Sequence, residues 1–550
     1  MSNDDQLEPV DTVPPEFDQE LIAGTETPPK TFWATILKLG PGLVVAGSIV
    51  GSGELIATTK TGAHAGIALL WLIIIGCLIK VFVQIELGRY SIVHGETTLT
   101  ALNRVPGKLG PANWIIWFWF LMMMAGILQL GGIVGGVGQA MAIAMPITGD
   151  LKEAIALPDT GEIKFYNQWT DDFANGEVEL KKLSLEQQER IRQGHVRIGT
   201  ALNDIGERGT TAISTVRAGG KIKDPWTLDD RLWSTLVGLI TIALLYNGRY
   251  GMIQSISTVL VISFTFLTIG NVVALQMTED WSLSTAEFMK GLSFGLPKTG
   301  DKWESLSIAL ATFGIIGVGA TELITYPYWC IEKGYARYTG RRTDDDAWAK
   351  RARGWMRVMH YDAFLSMVIY TLATMAFFIM GVAVLYREGR NPDGMRMVST
   401  LSSAYVPIFG DYAKWMFLSG AIAVLYSTFL VANGGHSRMY TDALKIFGYI
   451  DRNDQKAHDR SLRVFCVLIP ITCVALHWTG INPVQAVLLS GLMQATMLPM
   501  IGFGALYLRY TSTDSRLAPS KAWDVMLILS FLGLLIAGVW GVCYKISKVL

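Results

Sequence analysis

The chain has 550 residues, 51% of them hydrophobic, and a mean hydropathy of +0.35. Its 46 basic and 46 acidic residues leave a formal charge of zero, and no basic cluster carries interleaved aromatics, which argues against a nucleic-acid partner. The averages include a polar N-terminal tail and a long polar loop, so the remainder must be strongly apolar, and runs of about 20 such residues read as transmembrane helices.

Residues 1–34 are acidic and contain proline, with no charged n-region or short apolar core. They read as a disordered cytoplasmic tail rather than a signal peptide. Eleven spans are expected near 35–59, 66–88, 113–145, 232–248, 254–277, 306–331, 360–386, 413–433, 463–479, 483–508 and 523–544. The chain thus divides into the tail, spans one to three (35–146), an insertion (147–230), spans four and five with an outer loop (231–305), spans six to ten (306–512), and an eleventh span with the C-terminus (513–550). Lys and Arg concentrate in one set of short loops, from Lys333 to Arg357, around Arg438 to Arg463, and at Arg509, Arg516 and Lys521. The positive-inside rule then puts the N-terminus in the cytoplasm of a plasma (inner) membrane protein and the C-terminus outside.

Residues 147–230 fall on the external side. Leu185, Ile191, Val196, Ile198, Leu202 and Ile205 recur at helical intervals, predicting one amphipathic helix bent at Gly194 within a small accessory subdomain. Its single histidine, His195, reads as incidental. The five cysteines lie in or beside apolar runs without CxxC spacing and read as buried structural thiols.

Two stretches read almost alike: Val50-Gly-Ser-Gly-Glu-Leu-Ile-Ala57 in the first span and Val318-Gly-Ala-Thr-Glu-Leu-Ile-Thr325 in the sixth. Each sets a carboxylate, Glu54 or Glu322, among small and helix-breaking residues. An intramembrane charge costs about 2.5–3.5 kcal/mol on insertion scales and is rarely there without a task. Five spans separate the two copies, an odd number, so the second half is inverted relative to the first and both motif spans can meet at the midplane as broken helices. Gly53, Gly319 and Pro327 are the expected points of breakage. Glu54 and Glu322 are the candidate metal ligands; Gly51, Ser52 and Thr325 are expected to join them in an all-oxygen set with exposed carbonyls, which favours a hard cation such as magnesium or manganese. Two carboxylates in one cavity repel, so an entering cation can displace a proton, a route to coupling. The bland alternative is that each glutamate only accepts hydrogen bonds from unwound backbone donors.

Other polar residues in the spans carry less. Glu86 and Arg89 are expected at the cytoplasmic interface, Lys60 snorkelling at the outer end of the first span, Asp362 at the start of the seventh, and Asn433 to His436 as a cap ending the eighth. Gln129 and Gln494 lie deeper, as interhelical hydrogen-bonding groups or cavity lining.

Further segments carry a family resemblance: Gly40-Pro41-Gly42, Gly62-Ala63, Leu87-Gly-Arg-Tyr-Ser-Ile-Val-His-Gly-Glu96, Asn247-Gly-Arg-Tyr-Gly251, Tyr405-Val-Pro-Ile-Phe-Gly410, Arg460-Ser-Leu-Arg463 and Leu498-Pro499. In order and spacing these resemble the Nramp family of metal-ion transporters, over nearly everything from residue 35 to 545 except the insertion. The resemblance implies an all-α polytopic membrane protein with a LeuT-type 5+5 inverted repeat. The binding motifs depart from the family's. Its first-span Asp-Pro-Gly-Asn is replaced by Gly51-Ser52-Gly53-Glu54, and its sixth-span Met-Pro-His by Leu323-Ile324-Thr325. The second histidine of that helix falls at Cys330, and the tenth-span glutamine before Leu-Pro falls at Met497.

The expected function is therefore a secondary active transporter, working by alternating access on a divalent cation, with magnesium or manganese favoured over softer ions and protons as candidate coupling ions. No resident cofactor and no obligate protein partner besides the lipid bilayer are expected. Alternatives are a transporter of a small organic solute such as an amine or amino acid on the same fold, or a membrane sensor using the external insertion. An enzyme is not expected, since no nucleophile–base pair, phosphate loop or HExxH pattern emerges.

Overall fold

The computed structural model describes residues 24–247, 250–297 and 302–549, with a few further side chains, that of Ser52 among them, outside the description. The first span opens on Gly40-Pro41, with proline in the first helical turn, where its missing N–H is no loss. It runs through Pro41–Ile49, Val50–Thr58 and Thr59–Ala65, and Gly66, at φ +61°, turns the chain into the second span, Leu70–Leu78 and Lys80–His94. Trp114–Ala144, Asp229–Asn247 and Tyr250–Gln276 form spans three to five. The sixth is split into Lys302–Ile315 and Ala320–Lys333. Asp346–Tyr386, Ala413–Ile446, Gln455–Trp478, Pro483–Thr511 and Lys521–Val549 complete the set. Among the described residues nine helices are long and apolar enough to cross a membrane; that tally joins the first two spans and leaves out the fourth, which begins on two aspartates. The only strands among the described residues are the short antiparallel pair Lys108–Leu109 and Ala112–Asn113.

The architecture is the LeuT-type inverted repeat of an integral membrane protein. The first span packs against the fifth, seventh and eighth and the second half of the sixth, and the apolar window of the sixth is wholly buried. Small residues let the backbones close up. A Cβ at Gly62 would lie 2.5 Å from the Phe378 carbonyl oxygen, and one at Gly381 would collide with that of Thr59, joining the C-terminal part of the first span to the seventh. Gly314 and Gly491 make the same kind of approach between the sixth and tenth spans.

Several expectations shift. The first span is not unwound: Val50–Thr58 is a π-helical stretch continuous with the α-helix on either side. Without a proline at Gly51-Ser52-Gly53 the ladder is widened rather than cut, and hydroxyls take up carbonyls, Thr58 that of Gly53 (2.8 Å) and Thr59 that of Glu54 (3.4 Å). The seventh helix starts at Asp346, so Asp362 lies in its middle, and the eighth continues to Ile446, so Asn433 to His436 are not a cap. Lys60 does not snorkel free: its ammonium is 3.0 Å from Asp393 and donates to the Pro392 carbonyl at 3.1 Å. Glu86 and Arg89 form an ion pair at 3.2 Å that is buried within the protein. Cys77, Cys330, Cys466 and Cys473 are free and buried; the Cys543 side chain lies outside the described residues.

The insertion is helical: Asp150–Ala156, Thr160–Ala174, Leu185–Asp204 and Glu207–Arg217. Asp159 and Ser184 each start a helix with a reciprocal capping box. Ile163, Ile198, Leu202, Ala212 and Val216 form a small core of their own. The helix runs unbroken through Gly194, where the Phe165 ring leaves little room for a side chain, while Leu185 and Val196 face outward. Contacts with the end of the seventh span and the segment after it tie it down: Arg396 pairs with Asp224 at 2.8 Å and donates to the Leu157 carbonyl, and Arg190 lies 4.3 Å from the centre of the Tyr386 ring.

Candidate functional site

The sixth span breaks between Ile315 and Ala320 because Gly317 takes φ +60°, a left-handed conformation glycine adopts without strain, and Gly319 then starts the next helix. A break exposes the last carbonyls of one half-helix and the first N–H groups of the other, and each buried one needs a partner. Here the partners are side chains from other spans. The Lys80 ammonium, from the second span, donates to the Ile316 carbonyl at 2.8 Å and to that of Phe313. Glu54 accepts the Gly317 N–H at 3.3 Å through Oε1. The Gln494 side-chain oxygen, from the tenth span, accepts the Thr321 N–H at 3.2 Å.

Glu54 is fully buried. Its Oε1 also lies 2.8 Å from the Thr374 hydroxyl of the seventh span, whose one proton is shared between this carboxylate and the Tyr370 carbonyl at 2.6 Å, while Oε2 has no hydrogen-bond partner among the described residues. A buried carboxylate oxygen without a donor is costly, and each such atom calls for an explanation. Glu322 sits in the first turn of the second half-helix, where the N-terminal end of the helix dipole favours a negative charge. Its Oε1 accepts the Ser48 hydroxyl at 3.4 Å, and it is the only residue from 311 to 330 that is not buried. The two repeats therefore reach into each other: the first-span glutamate holds the break of the sixth span, and the sixth-span glutamate meets a hydroxyl of the first. Lys80 and both carboxylates lie within electrostatic reach of one another.

A family model described as natural resistance-associated macrophage protein-like (Nramp) matches residues 225–544, more than half the chain. The chain belongs to the Nramp family. Solved structures agree on the fold. A histidine-to-alanine mutant of the Eremococcus coleocola manganese transporter superposes with a TM-score of 0.55 at 16% identity, covering 94% of this chain and 88% of that one. A glutamate-to-alanine mutant of the same transporter gives 0.53 at 15% identity, over 95% and 90%. No curated protein matches this chain.

In this Nramp-family chain the remaining motif residues separate into different roles. Gly51 packs against the eighth span: its N–H donates to the Thr428 hydroxyl at 3.0 Å, and a Cβ there would run into that hydroxyl and come within 2.8 Å of the Val424 carbonyl. A side chain where the family pattern has its aspartate would have to push the first and eighth spans apart. A Cβ at Gly53 would lie 3.0 Å from the Ile315 carbonyl, so this glycine lets the first span pass the end of the half-helix rather than breaking its own. The Ser52 side chain is outside the described residues. Thr325 donates to the Thr321 carbonyl at 2.6 Å, its methyl group facing Gly435 of the eighth span, and among the described residues no hydrogen bond joins it to either glutamate. Gly319 is crowded by Glu322 Oε2 and the Gln494 oxygen, 2.5 and 2.7 Å from where its Cβ would stand. Pro327 lies inside the second half-helix and breaks nothing.

Sequence reasoning misses four contributors. Lys80 is a charge in the middle of an apolar run, as out of place as either glutamate and detectable by the same reasoning. Thr374 and Ser48 carry no signal, because a hydroxyl in a membrane helix more often bonds its own backbone. Asp362 accepts the N–H groups of Gly40 (2.8 Å) and Gly42 (2.6 Å) and the Tyr326 hydroxyl (3.0 Å), fastening the start of the first span to the seventh and to the sixth. Gln494 also donates to Gln129 of the third span at 3.1 Å, the interhelical bond open to both residues. Among the described residues no group of three or more His, Cys, Asp or Glu stands together as a metal cluster.

Proposed function

We propose that the chain is a secondary transporter that carries a divalent metal cation across the membrane by alternating access, with Glu54 and Glu322 as its charged ligands. The observation that carries the reading is the unpartnered Oε2 of fully buried Glu54, beside the broken sixth helix of an Nramp-family fold and within electrostatic reach of Glu322. The solved structures most like it include those of a manganese transporter. The Ser48 hydroxyl and the Gln494 oxygen complete an all-oxygen donor set, which favours magnesium or manganese over softer metals. Gly51 and Thr325 remain candidate neutral ligands, the first through its carbonyl and the second through its hydroxyl oxygen, since the bonds made by the Gly51 N–H and the Thr325 proton use neither oxygen as an acceptor. Proton coupling follows if cation entry displaces a proton shared by the two carboxylates. The N-terminus lies on the cytoplasmic side of the plasma membrane and residues 147–230 outside, in keeping with the distribution of basic loops.

Uptake of magnesium and manganese into proteoliposomes tests the reading, wild type against Glu54→Gln and Glu322→Gln. Loss of uptake in both variants, with folding intact, is the expected result. Unchanged uptake in both sinks the ligand assignment, and thermal stabilisation by amino acids but by no metal redirects the reading to an organic solute.

A further inference from the structure

The carbonyl oxygens at the C-terminal end of a broken membrane helix are where this class of fold can coordinate a monovalent cation, since they carry partial negative charge and have no intrahelical donor. In this protein those oxygens already hold a cation that belongs to the chain. Lys80 is fully buried, and its ammonium bonds the carbonyls of Phe313, in the last turn of the first half of the sixth span, and of Ile316, just past its end. The same nitrogen lies 4.7 Å from the centre of the Phe313 ring, a cation–π contact that adds a third electron-rich face. Glu54 holds the next backbone group of the break, the Gly317 N–H. Two carboxylates and one ammonium leave a formal charge of −1 around the break instead of −2.

We propose that the Lys80 ammonium is a tethered cation filling a monovalent-cation site at the end of the half-helix, and that shortening Lys80 leaves a site for a free small cation of the sodium, potassium or methylammonium class. The vacated volume has two backbone oxygens in place, an aromatic face, and the field of two carboxylates, and a cation lost from it would leave both carbonyls without a donor. The wild-type protein consequently needs no dissociable ion at this place, and its Lys80 sets how much positive charge the neighbouring glutamates still attract. That last step rests on the proposed transport function; occupancy of the site does not.

The test is thermal unfolding of purified Lys80→Ala in detergent, in sodium, potassium, methylammonium and choline chloride at equal ionic strength and without divalent metal. Choline is too large for the site and controls for screening. Lys80→Ala should gain a saturable rise in Tm of roughly 2 °C or more in at least one small cation over choline. Wild type and Lys80→Met, whose side chain refills the space without charge, should show no difference between salts. A Lys80→Ala protein indifferent to the salt, or a wild type that responds as strongly, overturns the proposal. If Lys80→Ala is recovered folded in none of the four salts, the proposal is likewise refuted; recovery only when purified in a small cation supports it. None of these readings depends on metal transport, so failure here and failure of the uptake assay are separable.

Discussion

Replacing Gly51 by alanine tests the packing that closes the family's aspartate position. The added methyl would meet the Thr428 hydroxyl and lie 2.8 Å from the Val424 carbonyl oxygen. Overpacking of this kind costs about 1–3 kcal/mol. Forcing the spans apart also stretches the 3.0 Å bond from the Gly51 N–H to Thr428, worth about 1 kcal/mol more. At about 2.1 cal/mol/K per residue, unfolding 550 residues carries an entropy near 1.2 kcal/mol/K, so a loss of about 2–4 kcal/mol lowers Tm by about 2–4 °C. Thermal unfolding in detergent reads this directly. In a Thr428→Gly background the same substitution should cost less but not nothing, because the Val424 carbonyl is backbone and cannot rotate away. A Gly51→Ala protein as stable as wild type would refute the packing and reopen position 51 to a ligand-bearing side chain.

Thr374→Val deletes the 2.8 Å donor to Glu54 and should cost about 1.5–3 kcal/mol of stability. In a Glu54→Gln background that cost should fall by half or more; an unchanged cost would show that the hydroxyl does not act on the carboxylate. Asp362→Asn leaves one acceptor oxygen for the three donors held by the two carboxylate oxygens and turns an amide N–H₂ toward at least one of them. Hydrogen exchange over residues 40–49 should speed up at least tenfold, and protection equal to wild type would count against the fastening role. In the insertion, His195 stacks on Tyr166 and shares a 2.7 Å hydrogen bond with Thr170, and its burial holds its pKa below the ordinary value of 6.5. The unfolded chain then binds more protons than the folded one just below pH 6.5, so the insertion should lose stability as pH falls from 7 to 5. His195→Phe should flatten that dependence, and an equally steep loss would exclude His195 as its source.

The repeat, the inversion and the two glutamates were legible because each breaks a strong rule, a charge in an apolar run in one case and a near-identical octapeptide in matching spans in the other. What the chain does between those points was less legible. Whether Gly51-Ser52-Gly53 unwinds or widens into a π-helix depends on the hydroxyls of Thr58, Thr59 and Thr428, and Thr428 comes from a distant span. Hydropathy marks where an apolar run stops rather than where a helix does, so a helix that runs on into a polar stretch, as from Asp346 to Asp362, reads too short and places Asp362 at an end. Lys80 was the missed signal that the sequence did contain. The apolar periodicity of the insertion located its long helix, but pattern alone did not tell which of its apolar residues face the three neighbouring helices and which face water.

The glycine contacts bear on which parts of the molecule can move apart. At Gly62 with Phe378, Gly381 with Thr59, and Gly314 with Gly491, main chain meets main chain with no side chain between. A side-chain contact can follow a shift by changing rotamer, but a backbone seam has nothing to adjust and either holds or parts along its length. The C-terminal part of the first span is thus yoked to the end of the seventh, and the first half of the sixth to the tenth. In the proposed alternating-access cycle, rocking would be absorbed where the links are single side chains, among them Asp362 on the glycine N–H groups, Ser48 on Glu322, and Glu54 on Gly317. Two of those three links are the site glutamates themselves, so whatever changes their partners changes how the yoked pairs are joined.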